Sequence, residues 1–336
     1  MRKVLFIGNF LSIQRGTLGP IEVIMQRLKD NYIIYNASIY DKKAIKFTDM
    51  LLKSLICNYD IIHIDTYSSS AINFAYLCAF IGKVKSKKVI LNLHGGGLYR
   101  LFQNSNPKKK LIEKLFSYAT VIVTPSLYLK EKFESHGFNI YYLPNTVDLL
   151  KFPYSANMVN NHKLLWVRAF NATYQPKLAV KILYEVRKKH PDATLTMIGP
   201  DKGLLSQTEQ LISELRLTGY VHITGKVPNN KLTEYYHTHQ VFLNTTDTES
   251  FGVAVMEAAS CGIPVVTTSV GELPYLWQNG ENAMLVDSFD EKDFADVVIQ
   301  LFEDKMLYKK LKSNARQKAE SFDWDDVKKL WKDLLK

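Results

Sequence analysis

The chain has 336 residues, enough for two domains that each bury a core of their own. It carries 43 Lys and Arg against 33 Asp and Glu, with 46% hydrophobic residues and a mean hydropathy of −0.12, which excludes a disordered chain or an acidic tail. No apolar run reaches the roughly 18 residues of a membrane span, and three scattered cysteines, Cys57, Cys78 and Cys261, exclude a disulfide framework and a zinc site, so the composition is that of a cytoplasmic protein.

Arg2-Lys3 followed by Val4-Leu5-Phe6-Ile7 reads as a first buried strand, because Asn9 cuts the apolar run too short for a signal peptide. Short β-branched runs then alternate with amphipathic stretches, the pattern of parallel sheets wrapped by helices. Strands are expected at 3–8, 32–39, 61–65, 89–94, 121–126 and 140–144, and after a polar stretch at 154–162 the alternation restarts at 164–169, 193–199, 220–225, 241–246, 263–268 and 283–286. The expected organisation is α/β, with two Rossmann-like doubly wound domains facing across a cleft. Residues 1–150 form the first, 151–318 the second, and 319–336 a C-terminal helix that crosses back. Charge is divided unevenly between them. Residues 1–150 hold 20 basic and 10 acidic side chains and residues 151–336 hold 23 of each, so the whole excess of +10 lies in the first half.

Neither first strand runs into G-x-G-x-x-G, the usual dinucleotide fingerprint. Gly16-Thr17-Leu18-Gly19-Pro20 offers instead a glycine pair opening a helix, which reads either as a tight turn or as a place where a ligand approaches the backbone. The informative segment runs from Asn244 to Val266. A strand ends near Thr246, a loop carries Glu249-Ser250-Phe251, and a helix begins near Gly252 and stops at Gly262. The amides of Gly252, Val253 and Ala254 are unpaired donors at a positive helix end, a site for a diphosphate. Glu257 lies ~7 Å further along the axis, placed for a ribose, and Glu249 is placed for a sugar on the other side of the phosphates.

The segment from Glu249 to Glu257, with the Ala258-to-Val266 run behind it, resembles the E-x7-E signature of retaining glycosyltransferases of family 4, which have the GT-B fold. Leu143 to Asp148, Gly271-Glu272-Leu273-Pro274 and Phe322-Asp323-Trp324 resemble further motifs of that family. The resemblance implies a ribose-binding Glu257, a sugar-binding Glu249, a diphosphate-binding Arg168 and a catalytic His94 in His94-Gly95-Gly96-Gly97. Gly199-Pro200 and Gly225 to Pro228 resemble loops that line the base. Lys177 reads either as the diphosphate-binding lysine or as a solvated residue at a helix start, and Tyr67 and His63 stand as acceptor-side candidates, His63 reading equally as a core histidine on an apolar strand.

The reaction so implied is a retaining, metal-independent transfer from a UDP- or GDP-linked sugar, a substrate rather than a cofactor, to a lipid-linked or oligosaccharide acceptor. The setting would be cell-envelope glycan synthesis such as lipopolysaccharide or capsule. A nucleotide-sugar 2-epimerase and a non-catalytic nucleotide-sugar-binding subunit are the competing readings; no nucleic-acid motif accompanies the charge. Lys83, Lys85, Lys87 and Lys88, and Lys108-Lys109-Lys110 opening an amphipathic stretch to Phe116, fit either an anionic membrane surface or a packed helix with a solvated face.

Overall fold

A computed structural model describes residues 1–8, 10, 19–37, 40, 42–68, 71–95 and 97–336. The chain divides into two compact units, Met1–Asn145 with Val327–Lys336, and Thr146–Asp326. Each is built on its own six-stranded sheet, and every strand pair is parallel.

In the first unit β1 (Lys3–Ile7), β2 (Ile33–Ala37), β3 (Ile61–Thr66), β4 (Lys88–Leu93), β5 (Val121–Thr124) and β6 (Tyr141–Tyr142) lie in the order β2-β1-β3-β4-β5-β6. The second unit contains β7 (Lys163–Val167), β8 (Thr194–Ile198), β9 (Val221–Gly225), β10 (Val241–Asn244), β11 (Val265–Thr268) and β12 (Met284–Val286), ordered β12-β11-β10-β7-β8-β9. All twelve expected strands are present. Central strands such as β3 are buried along their whole length, because helices cover both faces of a parallel sheet and the sequence is accordingly a near-continuous apolar run.

Strand order reverses once in each sheet, between β1 and β3 in the first and between β7 and β10 in the second. Chain leaving the carboxyl ends of those two strands diverges to opposite sides, which opens a crevice there. In the first unit Gly8 follows β1 at such a point and faces Asp65 of β3. A Cβ at position 8 would stand 2.7 Å from Ile21 Cδ1 and 2.9 Å from Asp65 Oδ2, so either side chain would have to shift to admit one. In the second unit the corresponding positions are Arg168 after β7 and the loop after Asn244.

Around the sheets the helices are α1 (Pro20–Leu28), α2 (Lys43–Ile56), α3 (Ala71–Val84), α4 (Gly97–Asn104), α5 (Asn106–Tyr118) and α6 (Leu127–Glu134). They are followed by α7 (Pro176–Val186), α8 (Leu205–Glu214), α9 (Leu232–Thr238), α10 (Val253–Cys261), α11 (Leu273–Leu276), α12 (Glu291–Glu303), α13 (Lys305–Glu320) and α14 (Trp324–Leu334). Local chemistry sets their ends: Asp304 accepts from the amides of Met306 and Leu307 at the start of α13, and Gly262 takes a left-handed conformation just after α10. One helix departs from its membrane-surface reading. Ile112, Leu115 and Phe116 of α5 are buried in the core of the first unit, so its apolar stripe serves packing and its lysines are the solvated side. No helix among the described residues is long and apolar enough to cross a membrane.

Candidate functional site

Arg168 leaves the carboxyl end of β7 at the switch point of the second sheet. Its Nε donates to Asn244 Oδ1 at 3.0 Å and its Nη2 to Glu249 Oε2 at 2.7 Å. Asn244 ends the adjacent strand β10 and is itself held by a 2.8 Å bond from its Nδ2 to Thr267 Oγ1 on β11. The guanidinium also lies 5.0 Å from the ring centre of Tyr174. Three elements therefore fix one cation, and Nη1 takes no hydrogen bond among the described residues. Gly199 is what lets β8 end against this point: a Cβ there would sit 1.8 Å from the Arg168 carbonyl oxygen.

The second carboxylate oxygen of Glu249 accepts from the backbone amides of Ser250 and Phe251, at 3.0 and 3.4 Å. Its backbone is clamped as well. A Cβ on Gly271 would meet the Glu249 carbonyl oxygen at 2.2 Å, and the Glu272 amide donates to that oxygen at 3.1 Å. Phe251 is buried and packs edge-on against Phe322 at 5.5 Å, so its ring anchors the loop and does not line a donor pocket, a correction to its place among the donor-binding residues.

Gly252 turns the chain into α10 with φ +82, a left-handed conformation open to glycine at little cost. No side chain caps this helix, and Val253 at its first position is 43% exposed. The first-turn amides at Val253 and Ala254 are thus left for an external acceptor, where the helix end favours negative charge. Glu257 is half-buried one turn on and accepts from Tyr236 Oη at 3.1 Å. Burial pushes its carboxyl up to about 7, against the opposing pull of Tyr236, Lys151 and Arg168. Tyr236, on α9, is itself buried and its hydroxyl is pushed well above the usual phenol range, chiefly by burial. Lys177 is placed elsewhere: it sits at the start of α7 and its Nζ donates to Gln207 Oε1 of α8 at 2.7 Å.

In the first unit His94 follows β4, and its Nε2 lies 3.1 Å from Asp65 Oδ1 at the end of β3. Asn92 Nδ2 donates to the same oxygen at 3.4 Å, and the Tyr67 ring stacks on the imidazole at 5.2 Å. A carboxylate on one ring nitrogen fixes the orientation of the imidazole. Gly95 adopts φ +85 with open space where a side chain would be, which leaves the turn after His94 accessible. Gly96 and Gly16 lie outside the described residues. Gly19 caps α1, and its amide is committed to Glu22 Oε2 at 2.7 Å.

His63 is not an acceptor-side residue. It is fully buried, with ring centroids 5.0 Å from Phe6 and 5.3 Å from Trp331, and neither ring nitrogen has a hydrogen-bond partner among the described residues. Burial holds it neutral, with its pKa lowered to about 4. Three residues that hold these groups have no part in the sequence reading of function: Asp65 in the first unit, and Tyr174 and Tyr236 in the second.

Among the described residues one group of histidines and carboxylates lies within reach of a common metal ion, His162, His190 and Asp192. These precede β7 and β8, at the ends of the strands opposite to Arg168, and none belongs to the site.

Residues 154–318 match the family model of glycosyl transferases group 1, and residues 24–150 match that of glycosyltransferase family 4. Among curated relatives, D-inositol 3-phosphate glycosyltransferase of Corynebacterium jeikeium (strain K411) is 28% identical over 169 residues, 47% of this chain and 40% of that protein. The enzyme of the same name from Paenarthrobacter aurescens (strain TC1) is 31% identical over 152 residues, 44% of this chain and 37% of its own. The chain spans 40% or less of the length of these two relatives. Solved structures extend the likeness to the whole chain. Anabaena Alr3699/HepE in complex with UDP and glucose superposes with a TM-score of 0.79 at 16% identity, covering 100% of this chain and 99% of that one. Sucrose-phosphate synthase from Thermosynechococcus elongatus gives 0.80 at 15% identity over the same shares. The two glycosyltransferase family matches follow one another along most of the sequence, on a chain whose fold is that of the GT-B glycosyltransferase structures.

Proposed function

We propose that the protein is a retaining glycosyltransferase that takes its sugar from a nucleoside-diphosphate-sugar held by the second unit. The observation that carries this reading is the 2.7 Å pair of Arg168 and Glu249 beside the uncapped start of α10. Cation and helix amides suit a diphosphate, and they suit it better as it leaves and gains charge. Glu257, one turn along, is placed for the ribose hydroxyls, and an oxygen of Glu249 for the sugar. Arg168 and the helix end together supply the positive charge that a metal would otherwise bring to the diphosphate, so transfer proceeds without one. That Anabaena Alr3699/HepE was solved with UDP and glucose supports a uridine-linked donor.

In the first unit, His94 held by Asp65 serves the same reaction on the acceptor side. In a front-face displacement the bond from the anomeric carbon to the phosphate oxygen breaks, the acceptor oxygen bonds to that carbon from the same side, and its proton passes to the departing phosphate. The family resemblance gives His94 the role of steadying the charge that develops on the sugar. The acceptor is a lipid-linked or oligosaccharide glycan of the cell envelope.

The test is a panel of UDP- and GDP-sugars with lipid-linked and free sugar acceptors, in the presence of a chelator. Donor-dependent transfer with the anomeric configuration kept is expected, and Glu249→Gln should lower it ~10²–10³-fold. Isomerisation of the donor without acceptor would establish the epimerase instead, and transfer that stops in chelator would overturn metal independence.

A further inference from the structure

The first unit exposes an apolar ridge that its core does not use. On α2 the side chains of Leu52, Leu55 and Ile56 are 50, 55 and 76% exposed, and on α3 those of Leu77, Phe80 and Val84 are 36, 45 and 66% exposed. Spacings of three and four along each helix put these residues on one outward stripe, opposite the buried Met50 and Ser54 of α2 and the buried Ala75, Cys78 and Ala79 of α3. The stripes are neighbours. Phe47 stacks on Phe74 at 4.3 Å, and Lys85 Nζ just beyond α3 donates to the carbonyl oxygens of Ser54, Leu55 and Cys57 at the end of α2, so Leu55, Ile56 and Val84 share one edge.

Lysines border this ridge. Lys83 is exposed on α3 itself, and Phe80 touches Tyr118 of α5 at 5.5 Å, with Lys114 Nζ 5.5 Å from the same ring. Of the nearby carboxylates, Asp49 is taken up by Lys53 at 3.2 Å, and Asp60 accepts from the Lys3 amide at 2.8 Å. A convex apolar ridge with cationic flanks is shaped for an interface that is apolar beneath and anionic above. A second copy of the chain fits poorly, since pairing this face with itself would oppose the lysines of the half that holds the whole +10 excess.

We infer that the α2–α3 ridge docks this protein on a bilayer containing anionic lipid, with Leu55, Ile56, Leu77, Phe80 and Val84 entering the headgroup–acyl boundary and Lys83 and Lys114 facing lipid phosphates. The inference locates membrane contact on this ridge and not on the amphipathic stretch of α5, and it goes beyond the proposed reaction, since docking does not depend on which sugar moves.

The experiment is sedimentation of the full chain with phosphatidylcholine vesicles, with and without 30% phosphatidylglycerol, at low and at raised salt. Binding to the anionic vesicles should be at least 10-fold tighter than to neutral ones and weaken with salt. A triple change, Leu77→Ser/Phe80→Ser/Val84→Ser, should weaken it 10-fold or more, and Lys83→Glu/Lys114→Glu should remove the preference for anionic lipid. Circular dichroism and nucleotide binding report that each variant is folded, and Glu249→Gln should sediment like the unaltered chain, which separates docking from catalysis. Equal sedimentation with both vesicles, or full binding by the triple variant, would overturn the inference. So would a concentration-dependent dimer that the triple variant abolishes, because the ridge would then be covered by a second copy.

Discussion

The two halves place a nitrogen base against a carboxylate at the carboxyl ends of neighbouring strands, yet they do so by different chemistry. In the second unit the pair is two full charges, Arg168 and Glu249 at 2.7 Å, fixed by Asn244 and two backbone amides. The first unit pairs a titratable imidazole with a carboxylate, His94 and Asp65 at 3.1 Å, under a stacked tyrosine. The half with no net charge carries the permanent cation and the uncapped helix end, and the half with +10 carries the imidazole–carboxylate pair. Net charge and local hydrogen-bond donors are thus divided differently between the halves.

Breaking the second pair is expected to have the largest effect. Arg168→Ala leaves Glu249 without its cation in a nearly buried position, and turnover should fall ~10²–10³-fold, the loss of about 3–4 kcal/mol of transition-state stabilisation. A double variant with Glu249→Gln should cost much less than the sum of the two single changes, since both act through one contact. In the first unit His94→Ala should lower turnover ~10²-fold with nucleotide affinity retained. Asp65→Asn should have a smaller effect, ~10-fold, because it acts on His94 by positioning it.

Stability against pH sharpens the comparison, because the buried His63 and the half-buried Glu257 titrate in opposite senses. His63 has its folded pKa lowered to about 4 from 6.5, so the unfolded chain binds the proton first as pH falls, and stability is lost between pH 6.5 and 4. His63→Phe should remove on the order of 3 kcal/mol of that loss. Glu257 has its folded pKa raised to about 7 from 4.5, so stability is greatest with the proton on and is lost as pH rises from 4.5 to 7, levelling off above. The advantage of Glu257→Gln over the unaltered chain should accordingly grow with pH across that window, as denaturant titrations at several pH values would measure. The smallest effect is expected of Gly252→Ala, about 1–2 kcal/mol in thermal unfolding, because a Cβ at φ +82 is strained and meets Leu273 Cδ2 at 3.2 Å.

Local patterns made much of this molecule legible. Alternating β-branched runs located all twelve strands, and the run from Glu249 to Gly262 marked the loop, the helix and the two carboxylates. What the sequence could not show is which strand ends are neighbours. Asp65 and His94 stand 29 residues apart and meet only because β3 and β4 pair in register, Asp65 opposite Asn92. Tyr236 and Glu257 meet for a similar reason, through the packing of α9 on α10. Burial was only partly visible: a histidine on an apolar strand already reads as a core residue, as His63 is beside Phe6 and Trp331, but a phenylalanine in a signature loop looks like a ligand until Phe251 is found against Phe322. The amphipathic period of α5 and the exposed stripe of α3 are both helical patterns, and only tertiary packing shows that the first faces the core and the second faces solvent.

The central claim, that a nucleoside diphosphate is held at the switch point of the second unit, is tested most directly by calorimetric titration of UDP and GDP into the unaltered chain, Arg168→Ala and His94→Ala. One of the two nucleotides should bind the unaltered chain, with affinity reduced at least 10-fold by Arg168→Ala and unchanged by His94→Ala. Equal affinity in Arg168→Ala, or loss of affinity in His94→Ala alone, would contradict it.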